Sequence, residues 1–168
     1  MELYKGKYLR LIKEGDWEYV ERVNSKGVAI IIPVTEDEKI ILIEQYRVPF
    51  KKNVIEFAAG LIGDTQNCSK ETIEEGAHRE LLEETGYQAK KMIPLISGPP
   101  TSGLASEITT FFKATELKKI TKGGGDDTES IQVHKIPLKK VDRWLLKKEK
   151  EGKLIDPKIY AGLYFLKG

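Results

Sequence analysis

Three glutamates and an arginine crowd one short stretch of this chain, Arg79-Glu80-Leu81-Leu82-Glu83-Glu84-Thr85-Gly86, inside the segment Glu71 to Tyr87. The segment reads as a helix. Thr72 is placed to cap its start, with Glu75 three residues on as the capping-box partner, and Gly86 is placed to end it. At roughly 100° per residue, Glu80, Glu83 and Glu84 fall within an arc of about 100°. Glu80 and Glu84 are like charges one turn apart, an arrangement that costs roughly 0.2–0.5 kcal/mol on a bare helix. A helix gains nothing from this crowding unless a cation sits against it. Hard divalent ions such as Mg²⁺ take oxygen ligands, often one or two carboxylates plus substrate phosphates. The bland alternative is a solvated acidic face, and the glutamates alone do not decide between the two.

Arg79 and its neighbours do. With Glu71 eight residues before Arg79, the stretch resembles the signature of the Nudix family, G-x5-E-x7-R-E-U-x-E-E-x-G-U with U a bulky apolar residue. Glu71, Arg79, Glu80, Leu81, Glu83, Glu84, Gly86 and Tyr87 match it. Thr65 stands where the first glycine belongs. Gly60, in Ala58-Ala59-Gly60-Leu61-Ile62, is the better candidate at eleven residues before Glu71, which implies a five-residue insertion around Asp64 to Lys70.

The likeness runs from about Trp17 to Phe165. Gln45-Tyr46-Arg47 followed by Val54-Ile55-Glu56-Phe57-Ala58-Ala59-Gly60 is similar to the QYR…ELPAG stretch of ADP-ribose and nucleoside-diphosphate-sugar pyrophosphatases, with Ala58 in place of Pro. Thr101 to Glu107 resembles the SPG-x-S-x-E motif of that branch, with Ser102 in place of Pro. Gly123 to Val133 resembles its late acidic loop, and the triple glycine is most like members that act on GDP-mannose. The resemblance implies an α+β fold, the Nudix α/β/α sandwich with an N-terminal β-hairpin. It also implies roles. Glu80 and Glu84 are the principal metal ligands, Glu83 bridges or orients, and the carbonyl of Ala59 completes a site. Arg79 orients the glutamates and Glu71 buttresses it. Glu129 or Asp127 is a general base or further ligand. Arg47 suits a phosphate contact, because a guanidinium matches phosphate oxygens with paired hydrogen bonds. Glu56 and Glu107 suit ribose hydroxyls or a metal, with a structural role equally open. The cofactor implied is Mg²⁺, with Mn²⁺ an alternative.

Composition narrows the classes. The chain has 168 residues, enough for one domain with a sizeable core. Its 28 basic and 26 acidic residues leave a formal charge of +2, which gives no reason to expect nucleic-acid binding. The single cysteine, Cys68, allows no intrachain disulfide and fits a reducing compartment. His78 and His134 stand alone, and neither is expected to bind metal. The N-terminal stretch lacks a signal-peptide core, and the longest apolar run, Val28 to Val34, is far short of the ~20 residues a membrane span needs. The expected location is cytoplasmic, without a membrane partner.

The elements that must position these residues follow from periodicity. Tyr4 to Ile12 and Trp17 to Val23 alternate and read as a hairpin turning at Glu14-Gly15-Asp16. Val28 to Pro33 and Ile40 to Glu44 read as a second hairpin, buried on both faces. Val54 to Phe57, Met92 to Ile96, Ile108 to Ala114 and Ile131 to Ile136 read as strands. Leu138 to Glu151 reads as an amphipathic helix with Val141, Trp144 and Leu145 inward, and Asp156-Pro157 opens a last helix. Residues 1–25 form a hairpin segment and residues 26–168 a catalytic domain. Apolar Tyr8, Leu9, Leu11 and Trp17 need a covering surface, so the expectation is a homodimer.

The functional expectation is a Mg²⁺-dependent hydrolase that cleaves the pyrophosphate of a nucleoside diphosphate linked to a sugar, ADP-ribose foremost. A GDP-mannose type hydrolase and a sensor that binds such a nucleotide without turnover are the alternatives. A hydrolase of diadenosine polyphosphates or damaged nucleoside triphosphates is a weaker one, because Gln45-Tyr46-Arg47 and the late acidic loop point away from it.

Overall fold

A computed structural model describes residues 1–64, 68, 70–125 and 130–166. The first strands are β1 (Glu2–Lys5), β2 (Leu9–Glu14), β3 (Trp17–Arg22), β4 (Gly27–Pro33), β5 (Lys39–Arg47), β6 (Lys52–Glu56) and β7 (Ala58–Ile62). Helix α1 (Ile73–Thr85) follows, then β8 (Tyr87–Gly98), β9 (Thr109–Lys119) and β10 (Ile131–Pro137). The chain ends with α2 (Val141–Lys150), β11 (Leu154–Ile155) and α3 (Lys158–Tyr164). Among the described residues the strands form three sheets, ordered β1-β2-β3, β10-β5-β6-β11 and β7-β4-β9-β8.

Strand β4 sets the layering, because successive side chains of a strand point to opposite faces. Ile30 and Ile32 join a core with Leu42, Ile55, Leu145 of α2 and Ile159 of α3. Ala29 and Ile31 join a second core with Ala77 and Leu81 of α1. The central sheet therefore has α1 on one face and the second sheet with α2 and α3 on the other, an α+β architecture of helices about strands. Each fully buried Ile or Leu contributes roughly 1.5–3 kcal/mol, so both faces of β4 stabilise the site's frame.

The expected hairpin of Val28 to Pro33 with Ile40 to Glu44 does not form. β4 pairs with β7 and β9, β5 pairs with β10 and β6, and only Val34 and Ile40 bridge between them. Pro33 has no amide hydrogen to extend a hairpin ladder, and strands apolar on both faces are better buried in separate sheets. The first arm of the N-terminal hairpin also divides. The chain turns at Gly6, whose amide donates to Leu9 O at 2.8 Å, and β1 folds back on β2 as a third strand. Alternation alone does not distinguish one long arm from two with a tight turn. Two-residue β11, unmarked in the sequence, pairs in parallel with β6.

At Phe57 the chain leaves one sheet and enters the other, between β6 and β7. A β-carbon on Gly162 would lie 2.4 Å from the Phe57 ring, so α3 packs its glycine directly on this crossover. The crossover carries Glu56 on one side and Ala59-Gly60 on the other, which places two parts of the site in one step. Among the described residues, no helix is long and apolar enough to cross a membrane.

Candidate functional site

Helix α1 starts and stops where its sequence says. Glu75 N donates to Thr72 Oγ1 at 3.2 Å and Thr72 N to Glu75 Oε2 at 2.7 Å, a complete capping box. Gly86 closes the helix in the left-handed conformation, φ 73°, with its amide on Leu82 O. Leu81 and Ala77 face the core, which turns Glu80, Glu83 and Glu84 toward a cleft of about 980 Å³.

Arg79 is the hub of this face. Its Nε and Nη2 donate to the two carboxylate oxygens of Glu71 at 3.1 and 3.0 Å. Its Nη1 donates to Glu80 at 2.7 Å and to Glu83 at 3.0 Å, and Nη2 also reaches Leu61 O at 3.2 Å. The hydrogen bonds to Glu71 hold the Arg79 pKa above its ordinary value, and Arg79 in turn holds Glu71 below the usual carboxylate range. Gly63 N donates to Glu71 Oε1 at 3.1 Å, so Glu71 ties the strand exit to the helix.

Glu84 is buried and its Oε2 accepts from the Ala59 amide at 3.0 Å. Gly60 lies against Glu80; a β-carbon there would sit 1.9 Å from the Glu80 Cδ. The glycine thus leaves a cradle for the Glu80 carboxylate. Among the described residues, no three acidic, histidine or cysteine side chains converge as they stand into a metal-holding group. Glu80 and Glu83 are turned to Arg79 and Glu84 to a backbone amide. The donor set is nevertheless all carboxylate and carbonyl oxygen, the chemistry of a hard divalent ion. Glu83 is half-exposed and lines the cleft while paired with Arg79.

Two further ion pairs line the cleft. Arg47 Nε donates to both Glu56 oxygens at 3.0 and 3.1 Å, with Nη2 on Oε2 as well. Arg22 at the end of β3 donates through Nε to Glu107. Both pairs line the same cleft as Ala59, Arg79, Glu80, Glu83 and Glu84. The structure thus brings together eight of the candidate residues: Arg47, Glu56, Ala59, Arg79, Glu80, Glu83, Glu84 and Glu107. Asp127 and Glu129 lie outside the described residues.

Arg22 was not signalled by the sequence. It reaches the cleft because Val20 N donates to Leu104 O at 2.8 Å and Ser106 N to Val20 O at 3.1 Å, pinning β3 to the loop that carries Glu107. A contact between positions 85 residues apart leaves no local pattern to read. His134 does not stand alone as expected. Its Nε2 lies 3.1 Å from Glu44 Oε2, in a cluster on the far side of the β10-β5-β6 sheet.

Comparisons with known proteins point to one family. The NUDIX domain model matches residues 25–160. The chain is 29% identical to the methanol dehydrogenase activator of Bacillus methanolicus, over 98% of this chain and 88% of that protein. It is 32% identical to the ADP-ribose pyrophosphatase of Bacillus subtilis (strain 168), over 82% and 75%. It is 31% identical to the GDP-mannose pyrophosphatase of Yersinia pestis (strain Pestoides F), over 83% and 72%. A solved structure described as an ADP compounds hydrolase superposes with a TM-score of 0.61 at 20% identity, covering 85% of this chain and 82% of that one, a likeness of fold.

Proposed function

The chain belongs to the Nudix family and is a Nudix hydrolase, and from that premise we propose that it cleaves the pyrophosphate of a nucleoside diphosphate linked to a sugar. ADP-ribose is the leading substrate, yielding a nucleoside monophosphate and a sugar phosphate. The observation that carries the reading is the single cleft with a carboxylate-rich helix on one wall and the Arg47–Glu56 and Arg22–Glu107 pairs also lining it. Its volume of about 980 Å³ lies at the top of the range for small-molecule sites. That suits an extended substrate with two phosphates at its centre.

Nudix hydrolases generally use divalent metal ions, and Mg²⁺ is proposed here. Glu80, Glu83, Glu84 and the Ala59 carbonyl would hold it. Bound there, the ion supplies charge neutralisation on the pyrophosphate and lowers the pKa of water. The chain's own residues do the rest. Arg79 keeps Glu80 and Glu83 aligned while Glu71 fixes Arg79. Arg47 exchanges Glu56 for phosphate oxygens, which it can grip with two parallel hydrogen bonds, and Glu56 is released toward a ribose hydroxyl. Glu107 plays the same part opposite Arg22. Glu129 or Asp127 takes the proton from the attacking water.

GDP-mannose is the second reading, favoured by the run Gly123-Gly124-Gly125 and by the similarity to GDP-mannose pyrophosphatase. A panel of ADP-ribose, GDP-mannose, UDP-glucose, a diadenosine polyphosphate and 8-oxo-dGTP with Mg²⁺ tests both. ADP-ribose is expected to give the highest kcat/KM; the absence of turnover on all three sugar nucleotides would refute the reading.

Residues 1–25 are proposed as a dimer-forming segment ahead of a catalytic domain of 26–168, in a cytoplasmic homodimer. Tyr4, Tyr8 and Trp17 of this segment are 69%, 64% and 67% exposed, a poor state for aromatic rings in a monomer. Sedimentation showing a monomer at micromolar concentration would reject the dimer.

A further inference from the structure

The C-terminal end of α1 is unusually well closed. Every carbonyl from Leu81 to Gly86 has a donor. Leu81 O accepts from Thr85 Oγ1 and Leu82 O from the Gly86 amide at 2.8 Å. Glu83 O accepts from Gly125 N at 3.2 Å and Glu84 O from Gly124 N at 2.9 Å. Thr85 O accepts from Lys119 Nζ at 2.6 Å, and Gly86 O from Ile120 N at 2.8 Å and Thr121 N at 3.2 Å. The last carbonyls of a helix ordinarily go to water or to a short local cap. Here those of Glu83, Glu84, Thr85 and Gly86 are taken by a strap 34 to 42 residues downstream, running from Lys119 at the end of β9 to Gly125.

Gly123 of the strap and Gly86 beneath it are demanded by contact. A β-carbon on Gly123 would lie 2.4 Å from Thr85 C and 2.8 Å from Glu84 O, and one on Gly86 would lie 2.3 Å from Thr121 O. Gly123, Gly124 and Gly125 all have positive φ, at 69°, 115° and 82°. The run is bonded to the end of the glutamate helix through Gly124 and Gly125. The strap is held from its other side as well, since Ile131 N at the start of β10 donates to Gly124 O at 3.2 Å. The charge is placed to match. α1 has no basic residue in its own last turn, and the Lys119 ammonium meets the negative end of the helix dipole instead. It also donates to Lys122 O at 3.1 Å and lies 4.6 Å from the Tyr87 ring centroid.

We propose that Lys119 and the Gly123–Gly125 strap are positioning elements of the hydrolase, which hold the turn bearing Glu83 and Glu84 in the register that divalent-ion binding requires. The proposal rests on the metal site given under Proposed function. The backbone of Glu83 and Glu84 is fixed by Gly125 and Gly124, and the buried Glu84 side chain has little room to compensate for a shifted main chain. Partners that orient ligands commonly change metal affinity about 10- to 100-fold when removed.

The test measures Mn²⁺ binding to the free enzyme by electron paramagnetic resonance, with thermal melting alongside to confirm that each variant is folded. Lys119→Met keeps the stem and loses the cation. Gly124→Ala meets no atom closer than 3.8 Å but puts a β-carbon on a φ of 115°, loosening the strap from its other end. Both are expected to bind Mn²⁺ about tenfold more weakly, while KM for ADP-ribose at saturating metal stays within about twofold. Lys119→Arg, which retains the charge, is expected to bind more tightly than Lys119→Met. Folded Lys119→Met and Gly124→Ala proteins with Mn²⁺ affinity within twofold of the parent overturn the proposal, as does a Lys119→Arg protein no better than Lys119→Met. Glu84→Gln in the same assay separates the two levels. If it also keeps parental Mn²⁺ affinity, the metal site itself is misplaced; if it alone loses the ion, only the strap's role falls.

Discussion

Two buried glutamates on opposite sides of this molecule meet cations in opposite proportion. Glu44 on β5 is 4% exposed and has Lys153 Nζ at 2.6 Å, Asn53 Nδ2 at 2.8 Å, His134 Nε2 at 3.1 Å and Lys148 Nζ at 3.4 Å. Burial would raise its pKa, but the bonds from Asn53, Lys153 and His134 and the charge of Lys148 bring it down to about 2. Donors there exceed carboxylates. Around α1 the balance reverses. Among the described residues, Glu71, Glu80 and Glu83 all pair with the guanidinium of Arg79, Lys26 adds a more distant positive charge near Glu71, and buried Glu84 lies beside them. A buried charge that has its full set of partners is architecture. A group of carboxylates that outnumbers its cation keeps a demand for positive charge, which a divalent ion on an anionic substrate can meet. Local charge balance, more than burial, tells the two apart.

The largest effect expected from this contrast is on Glu84. Glu84→Gln keeps an oxygen for the Ala59 amide and loses the charge. Turnover is expected to fall by more than ~100-fold, beyond the range for residues that only support a ligand, while the melting temperature stays within a few degrees. Steady-state rates at saturating Mg²⁺ check it, and parental turnover would dissolve the distinction between the two glutamates. Arg79→Lys comes next. An ammonium is a point charge and does not reproduce the paired bonds to Glu71 together with those to Glu80 and Glu83. A loss of about 10- to 100-fold in kcat is expected, and an equal loss in Glu71→Gln places both residues on one path.

The Glu44 cluster is expected to respond in stability alone. Glu44→Gln leaves Lys148 and Lys153 beside a neutral amide. Breaking a buried pair costs about 3–5 kcal/mol; because the lysine side chains are 17% and 28% exposed, a loss of about 2–3 kcal/mol in urea unfolding is expected. kcat on folded protein should be unchanged. A fall in kcat without a fall in stability would show that the cluster serves the reaction.

These two clusters also differ in how far the sequence reveals them. The glutamate helix is legible because its determinants are local. Thr72, Glu75 and Gly86 bracket α1, and the i, i+3, i+4 spacing of Glu80, Glu83 and Glu84 fixes their common face. Glu71 lies just ahead of the Thr72 cap, eight positions from Arg79. The Glu44 cluster draws on β5, β6, β10, α2 and the turn before β11, and Lys148 lies 104 positions from Glu44. No periodicity encodes such a meeting. The same reason hides the Arg22–Glu107 pair and the strap on Glu83 and Glu84. It also explains the misread second hairpin: β4 and β5 are adjacent and apolar, but which edge each pairs with is decided by β7, β9 and β10. Asp127 and Glu129 lie outside the described residues, so their expected role stands on resemblance.

The smallest expected effect is a pH dependence that belongs to the Glu44 side of the contrast. The folded Glu44 pKa of about 2 lies below its ordinary 4.5, so below pH 4.5 the unfolded chain binds the proton more readily. Stability from Glu44 is therefore present above about pH 4.5 and drains as pH falls toward 2. His134 acts in the same direction at higher pH. Burial holds its pKa below 6.5, so the unfolded state takes the proton first and stability begins to fall below about pH 6.5. Glu71 is also lowered, and the parent's slope alone does not assign the effect. The difference between parent and Glu44→Gln does. In paired urea titrations from pH 7 to pH 3, the gap between them should narrow on acidification, most steeply below pH 4.5. A gap that stays constant over that range would mean that Glu44 is not held ionised by its lysines, and the charge-balance contrast with α1 would lose its second member.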